Sequence, residues 1–256
     1  MDLLQAFVLG VVEGVTEFLP ISSTGHLIIA GRVLGLAQSD SQTAFDIIIQ
    51  LGAIFAVIAN YRDKFTPAYW DLWRKIFVAF IPIGLVGFVF ESTIESLFSV
   101  HVVATTFILG GIVFLVLEHF YKPGQSHHVT RIEGVTWRHA IWVGLAQVCA
   151  LVPGTSRSGS TIVGGLLVGL DRKTAAEFSF LLALPVMVAT TGYAVFKHHS
   201  EFAGTSFAPL AVGFITAFFV AFLAVRWLIY FLSRYTFRLF GVYRIVLGVI
   251  LLIWFH

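Results

Sequence analysis

Apolar residues in this chain come in long unbroken runs, without the period-2 alternation of a half-buried strand. The runs at 43–60, 76–90, 102–120, 178–196, 209–231 and 239–255 each approach the roughly 20 residues that a helix needs to cross a bilayer. Six spans are therefore predicted. Two further apolar segments, 3–36 and 137–170, are interrupted in the middle, one by Pro20-Ile21-Ser22-Ser23 and the other by Pro153-Gly154-Thr155-Ser156. Each half is too short to cross alone, and irregular backbone at membrane depth is tolerated only where protein or water covers it. Both segments read as re-entrant helical hairpins.

The two broken segments resemble each other when slid by 134 positions. Gly10 falls on Gly144, Glu13 on Gln147, Ser22 on Ser156, Gly25 on Gly159, Gly31 on Gly165, Gly35 on Gly169 and Leu36 on Leu170. Further on, Leu109-Gly110-Gly111-Ile112 and Leu247-Gly248-Val249-Ile250 match at a slightly larger offset. The chain reads as one membrane domain, 1–256, made of two repeats at about 1–122 and 137–256, each a hairpin plus three spans. An odd number of crossings inverts the second copy, so the predicted fold class is an all-α polytopic membrane protein built as an inverted repeat. In transporter-like folds of this kind, half-helix N-termini converge on an anion near the midplane.

Composition agrees and narrows the function classes. With 58% hydrophobic and 12% charged residues, the chain is outside the range of soluble domains. A net charge of +2 without a basic cluster argues against a nucleic-acid partner. The single Cys149 excludes an internal disulfide and a multi-cysteine metal site, and on an apolar helix it is expected to pack. Asp2 stands where a signal peptide carries basic residues, so no cleavable leader is expected. Lys and Arg collect on the cytoplasmic side. Arg62, Lys64, Arg74, Lys75, Lys122, Arg131, Arg138, Arg172, Lys173, Arg234 and Arg238 mark that side, which places both termini and the first hairpin outside and lets the second hairpin enter from the cytoplasm. Arg226 and Arg244 are expected to snorkel from helix ends.

The candidate chemistry lies at the hairpin breaks. Glu13 and Glu17, one helical turn apart in an apolar segment, are costly unless they meet water, a cation or a partner. Gly10 and Gly14 thin the same helix for close packing. After Pro20, Ser22 or Ser23 can cap a new helix whose free N–H groups favour an anion. The second break repeats the device, with Gly154, Thr155, Ser156, Ser158 and Ser160 around Arg157, a cation shaped to grip a phosphate at two points. With His26 nearby, this is an anion cradle faced by two acids and a histidine, which suits cleavage of a phosphate ester or pyrophosphate. The acids can hold a divalent cation, with His26 or Ser23 attacking or moving protons. Blander readings stand beside these: surface-solvated glutamates, a packed histidine, a serine that only caps, and an Arg157 that pairs with a glutamate. Asp46 and Glu177 are left out of the site as cap or interface residues, and the loop histidines His127, His128, His198 and His199 are expected to be solvated. The main rival function is a carrier for a lipid phosphate or small anion.

Glu13-x-x-x-Glu17 followed by Pro20-Ile21-Ser22-Ser23-Thr24-Gly25-His26 resembles the acidic motif and first active-site segment of the bacterial undecaprenyl-diphosphate phosphatases of the bacitracin-resistance type. Pro153-Gly154-Thr155-Ser156-Arg157-Ser158-Gly159-Ser160-Thr161 resembles that family's second motif, P-G-x-S-R-S-x-x-T, and the similarity spans nearly the whole chain. The resemblance implies a multi-pass inner-membrane enzyme, open to the periplasm, that removes the terminal phosphate of a C55 polyprenyl diphosphate and so recycles the carrier for cell-wall synthesis. It implies Glu13, Glu17, Ser23, His26 and Arg157 as catalytic positions and Glu13 and Glu17 as ligands of Mg or Ca. Ser22, Thr24, Gly25, Gly154, Thr155, Ser156, Ser158 and Thr161 are implied to bind substrate. The glycine-rich helices can pack within one chain or between two, which leaves a homodimer open.

Overall fold

The computed structural model describes residues 1–36, 39–121, 129–197 and 207–254. His127, His128, His198, His199, Lys122 and the end of the last predicted span lie outside the described residues. In chain order the α-helices are α1 (Leu3–Thr16), α2 (Ser23–Val33), α3 (Asp40–Asn60), α4 (Trp70–Val89), the short α5 (Glu91–Ser96) and α6 (Val100–Phe120), followed by α7 (Trp137–Gln147), α8 (Arg157–Leu167), α9 (Arg172–Lys197), α10 (Phe207–Leu232) and α11 (Arg238–Trp254). The described residues contain no strand, only an isolated parallel bridge between Val129 and Leu170. The broken segments are the pairs α1/α2 and α7/α8, as their prolines and small polar residues predict.

Five helices among the described residues are long and apolar enough to cross a membrane: Gln42–Asn60, Pro67–Val89, Val100–Phe120, Arg172–Phe196 and Phe207–Leu232. The chain is a multi-pass membrane protein. The sixth predicted span corresponds to α11, whose 17 described residues stop short of the roughly 20 a crossing requires.

Packing follows the sequence offset. α1 lies along α10 and α7 along α4; α10 also meets α3, and α4 meets α9, while α6 pairs with α11 and α3 with α9. Exchanging α1 with α7, α3 with α9 and α4 with α10 returns the same set of contacts. Glycine permits the close crossings. Gly10 faces Gly213, and a Cβ on Gly14 would come within 2.7 Å of Val220 and 2.8 Å of the Ala217 carbonyl; Gly144, the counterpart of Gly10, meets the Ala79 backbone. The helix starts match too, because Asp2 with Gln5 and Thr136 with His139 form capping boxes on α1 and α7. At one end, buried Glu118 of α6 accepts from Arg172 Nε at 2.9 Å and from the Phe237 N–H at 2.8 Å, joining α6 to the starts of α9 and α11.

Two expectations need correction. Arg244 does not snorkel: it is fully buried, because backbone carbonyls rather than water satisfy its guanidinium. Cys149 does not pack, since the short 3-10 turn Val148–Leu151 that follows α7 leaves it exposed. Arg226 is exposed as expected, lying over the Phe222 ring and donating to Asn60 at 2.8 Å.

Candidate active site

The two helix starts at the hairpin breaks share an unusual backbone. Ser22 and Ser156 have φ of 70° and 78°, and they are the non-glycine residues with positive φ among the described residues. Serine rarely adopts this conformation, so surrounding contacts must hold it there. Both serines precede the first turn of a helix, α2 and α8 respectively. Ser156 caps α8 by accepting from the Gly159 N–H at 3.1 Å, whereas the Ser22 side chain makes no cap hydrogen bond. The breaks also touch directly. Ser158 Oγ donates to the Leu19 carbonyl at 2.9 Å and lies 3.1 Å from Ser156 Oγ.

A hydrogen-bonded line of three side chains crosses this junction. Ser23 Oγ donates to Glu17 Oε2 at 2.5 Å, and Arg157 Nη2 donates to Glu17 Oε1 at 2.9 Å. Arg157 is held from behind by α9, where Nη1 donates to the Ser179 carbonyl at 3.0 Å. Thr161 Oγ1 in turn donates to Ser179 Oγ at 2.6 Å. These contacts use two of the five N–H donors that a guanidinium carries.

The line borders a cavity of about 270 Å³. Of the residues singled out in the sequence, Glu17, Ser22, Ser23, Thr24, Gly154, Ser156 and Arg157 line it. Ser158 and Thr161 are buried in the contacts that tie the breaks and α9 together. Gly25 is a packing position, since a Cβ there would meet the Phe107 ring at 2.6 Å. Thr155 contributes its carbonyl to Arg244. His26 lies to one side of the cavity: Nδ1 is 2.7 Å from the Ser22 carbonyl and Nε2 is 2.7 Å from the Tyr243 hydroxyl. Because a carbonyl can only accept, Nδ1 carries the hydrogen, and in the neutral ring Nε2 accepts from Tyr243.

Glu13 is fully buried, and neither carboxylate oxygen has a hydrogen-bond partner among the described residues. Gln147, its counterpart in the second half, is likewise buried and unpartnered. An isolated buried carboxylate calls for a proton or a cation. One helical turn from Glu17, Glu13 offers oxygen donors of the kind that suit Mg or Ca, but it lies outside the cavity lining, and both Glu17 oxygens are engaged by Ser23 and Arg157. No group of three or more acidic, histidine or cysteine ligands occurs among the described residues, so water and substrate oxygens would have to complete the shell of such an ion.

Sequence reasoning missed four residues. Gln50 lines the cavity, Ser179 seats Arg157, Tyr243 engages His26, and Arg244 binds both breaks. Two of them left a visible signal: Gln50, a polar residue one turn after Asp46 in an apolar span, and Arg244, a cation inside the apolar run 239–255. Asp46 accepts from Gln42 at 2.8 Å and lines a smaller cavity of about 80 Å³, which shares Thr24 and Gln50 with the larger one.

Comparison with known proteins gives one consistent answer. The family described as "Bacitracin resistance protein BacA" matches residues 6–250. The chain is 52% identical to the undecaprenyl-diphosphatase of Sulfurovum sp. (strain NBC37-1), over 98% of this chain and 99% of that protein. It is 54% identical to undecaprenyl-diphosphatase 2 of Pseudoalteromonas translucida, over 98% of each. Against the undecaprenyl-diphosphatase of Methanococcus aeolicus the identity is 49%, over 100% of this chain and 99% of the relative.

Proposed function

The chain belongs to the bacitracin resistance protein BacA family, and from that premise we propose that it hydrolyses undecaprenyl diphosphate to undecaprenyl phosphate and inorganic phosphate. The observation that carries the reading is the Ser23–Glu17–Arg157 line at the junction of the two helix starts, bordering a cavity that continues into an apolar groove. The groove, about 580 Å³, runs between α4 and α9 and shares Ile83, Leu151, Val186 and Thr190 with the polar cavity. A polar pocket joined to an apolar groove fits a diphosphate joined to a polyprenyl tail. The carrier alternative is not favoured, since nothing in the site calls for it and the named relatives are phosphatases.

In the proposed reaction Arg157 and the start of α8 bind the terminal phosphate. Ser23 Oγ attacks its phosphorus as Glu17 Oε2 takes the hydroxyl proton; the bond to the bridging oxygen breaks, and the lipid monophosphate leaves with that proton returned from Glu17. Water then attacks the phosphoserine, releases inorganic phosphate and restores the Ser23 hydroxyl. His26 holds the Ser22 carbonyl and with it the start of α2. Glu13 and Glu17 would hold Mg or Ca, which when bound shields the diphosphate charge.

For the whole molecule we propose six spans arranged as an inverted repeat in the inner membrane, with the site open to the periplasm. The matched contacts, capping boxes and positive-φ serines at an offset of 134 support the repeat, and the loop cations support the orientation. The test of function is phosphate release in detergent from a C55 polyprenyl diphosphate, with and without EDTA, beside Glu17→Ala. Metal-dependent release that disappears in the variant is expected. Absence of release by folded wild-type protein across metals and detergents would overturn the reading.

A further inference from the structure

Arg244 is the largest fully buried side chain among the described residues, at 0% exposure. From α11 it directs all of its N–H donors at backbone carbonyls. Nε donates to Phe107 at 3.4 Å, Nη1 to Pro20 at 3.1 Å and to Thr155 at 2.9 Å, and Nη2 to Thr106 at 2.9 Å and to Gly154 at 3.0 Å. Every acceptor is neutral, and no carboxylate pairs with it among the described residues. A buried cation without a counter-ion is costly unless its position serves something.

The choice of carbonyls shows what that is. Pro20 lies two residues before Ser22, and Gly154 and Thr155 immediately precede Ser156, so three of the five bonds go to the two hairpin breaks. These are the segments that contain the two serines of positive φ. In a trans peptide the carbonyl and the following N–H point in opposite directions. Holding the Thr155 carbonyl on Arg244 therefore turns the Ser156 N–H away from Arg244. Carbonyls fixed this way are also kept from turning towards an anion in the cavity that Ser22, Gly154 and Ser156 line. Arg244 itself does not line that cavity.

We propose that Arg244 is a positioning residue: it locks both hairpin breaks in the conformation that binds the transferred phosphate and adds an unpaired positive charge behind them. The proposal rests on the phosphatase reading. Gly110 of α6 is part of the same device, because a Cβ at this position would come within 2.6 Å of Arg244 Cζ and 3.0 Å of Nε.

Two variants separate positioning from mere support of the fold. Arg244→Lys keeps the charge but cannot serve five carbonyls. Gly110→Ala keeps the arginine, replaces glycine by a better helix former, and displaces the guanidinium. Both are to be measured for kcat and KM on the polyprenyl diphosphate, for competitive inhibition by inorganic phosphate, and for melting in detergent. The expected result is a kcat lower by about tenfold or more per folded molecule, with KM, set largely by the lipid tail, moving less than about threefold. Phosphate inhibition should weaken in parallel. A purely structural role would lower the melting temperature and the folded fraction while leaving kcat per folded molecule and phosphate inhibition unchanged, and that result overturns the proposal. Failure of both variants to fold would also assign Arg244 to the fold alone and overturn it. If the wild-type protein releases no phosphate, the reaction assignment falls instead, and binding of inorganic phosphate to wild type and Gly110→Ala still decides whether Arg244 shapes an anion site.

Discussion

Replacing Arg157 by alanine tests whether this side chain grips substrate or only neutralises an acid. In the structure it joins Glu17 Oε1 at 2.9 Å and the Ser179 carbonyl at 3.0 Å, and the side chains of the ion pair keep 13% and 10% of their accessibility. Breaking a buried pair and stranding one charge costs about 3–5 kcal/mol of stability. The residual exposure and the Ser23 hydrogen bond to Glu17 place the loss near the bottom of that range, about 3 kcal/mol. Removing Glu17 as well takes away the stranded charge, so the double variant should recover about 2 kcal/mol of it. Catalysis should behave differently. Loss of a positioned donor to a developing oxyanion costs about 2.7–4 kcal/mol, or about 10²–10³ in kcat, and the double variant recovers none of this. Thermal melts in detergent and phosphate release per folded molecule measure the two quantities on the same samples. An Arg157→Ala protein that melts lower yet keeps kcat/KM within about threefold of wild type would refute the phosphate grip and leave Arg157 as an ion pair.

Ser23→Ala should lose about 10² or more in kcat while melting close to wild type, whereas Ser22→Ala, whose hydroxyl makes no cap bond, should lose much less; equal losses would argue against Ser23 as nucleophile. EDTA should abolish phosphate release and Mg or Ca restore it, and Glu13→Gln should bind the ion more weakly without losing the fold, as read by melting with and without metal. Gly14→Val should destabilise by about 1–3 kcal/mol, because the new side chain collides with Val220 and the Ala217 carbonyl; an unchanged melting temperature would contradict the close α1–α10 crossing. Ala189→Trp in the apolar groove should raise KM for the C55 diphosphate and spare a short-chain diphosphate, and equal effects on both would remove the tail from this groove.

Much of the fold was legible because bilayer physics leaves few options. Apolar runs of spanning length must become helices, and the breaks at Pro20 and Pro153 stop them at the observed places. Most of the site was legible for the same reason, since acids and an arginine in apolar surroundings declare that something pays their desolvation. Glu17, Ser23 and Arg157 meet as their motifs suggest. The sequence neighbours of His26 point it to the site, and three residues on from Ser23 it lies only about one-sixth of a turn around α2; what the sequence does not reveal is that its nitrogens reach the Ser22 carbonyl and the Tyr243 hydroxyl. The contacts of Arg244 are hidden in the sequence by distance along the chain, since it lies 224 residues from Pro20 and 89 from Thr155.

The sequence by itself determined the membrane class, the two broken segments, their resemblance at an offset of 134 and the residue types of the candidate site. All of these are properties of local composition and spacing. Only the tertiary structure decided which of those side chains line one cavity, that Ser179 seats Arg157, that the cavity opens into a groove between α4 and α9, and that Arg244 reaches both breaks. These depend on contacts between elements distant in the chain, and hydrophobic runs constrain that a helix crosses without constraining which neighbour it meets.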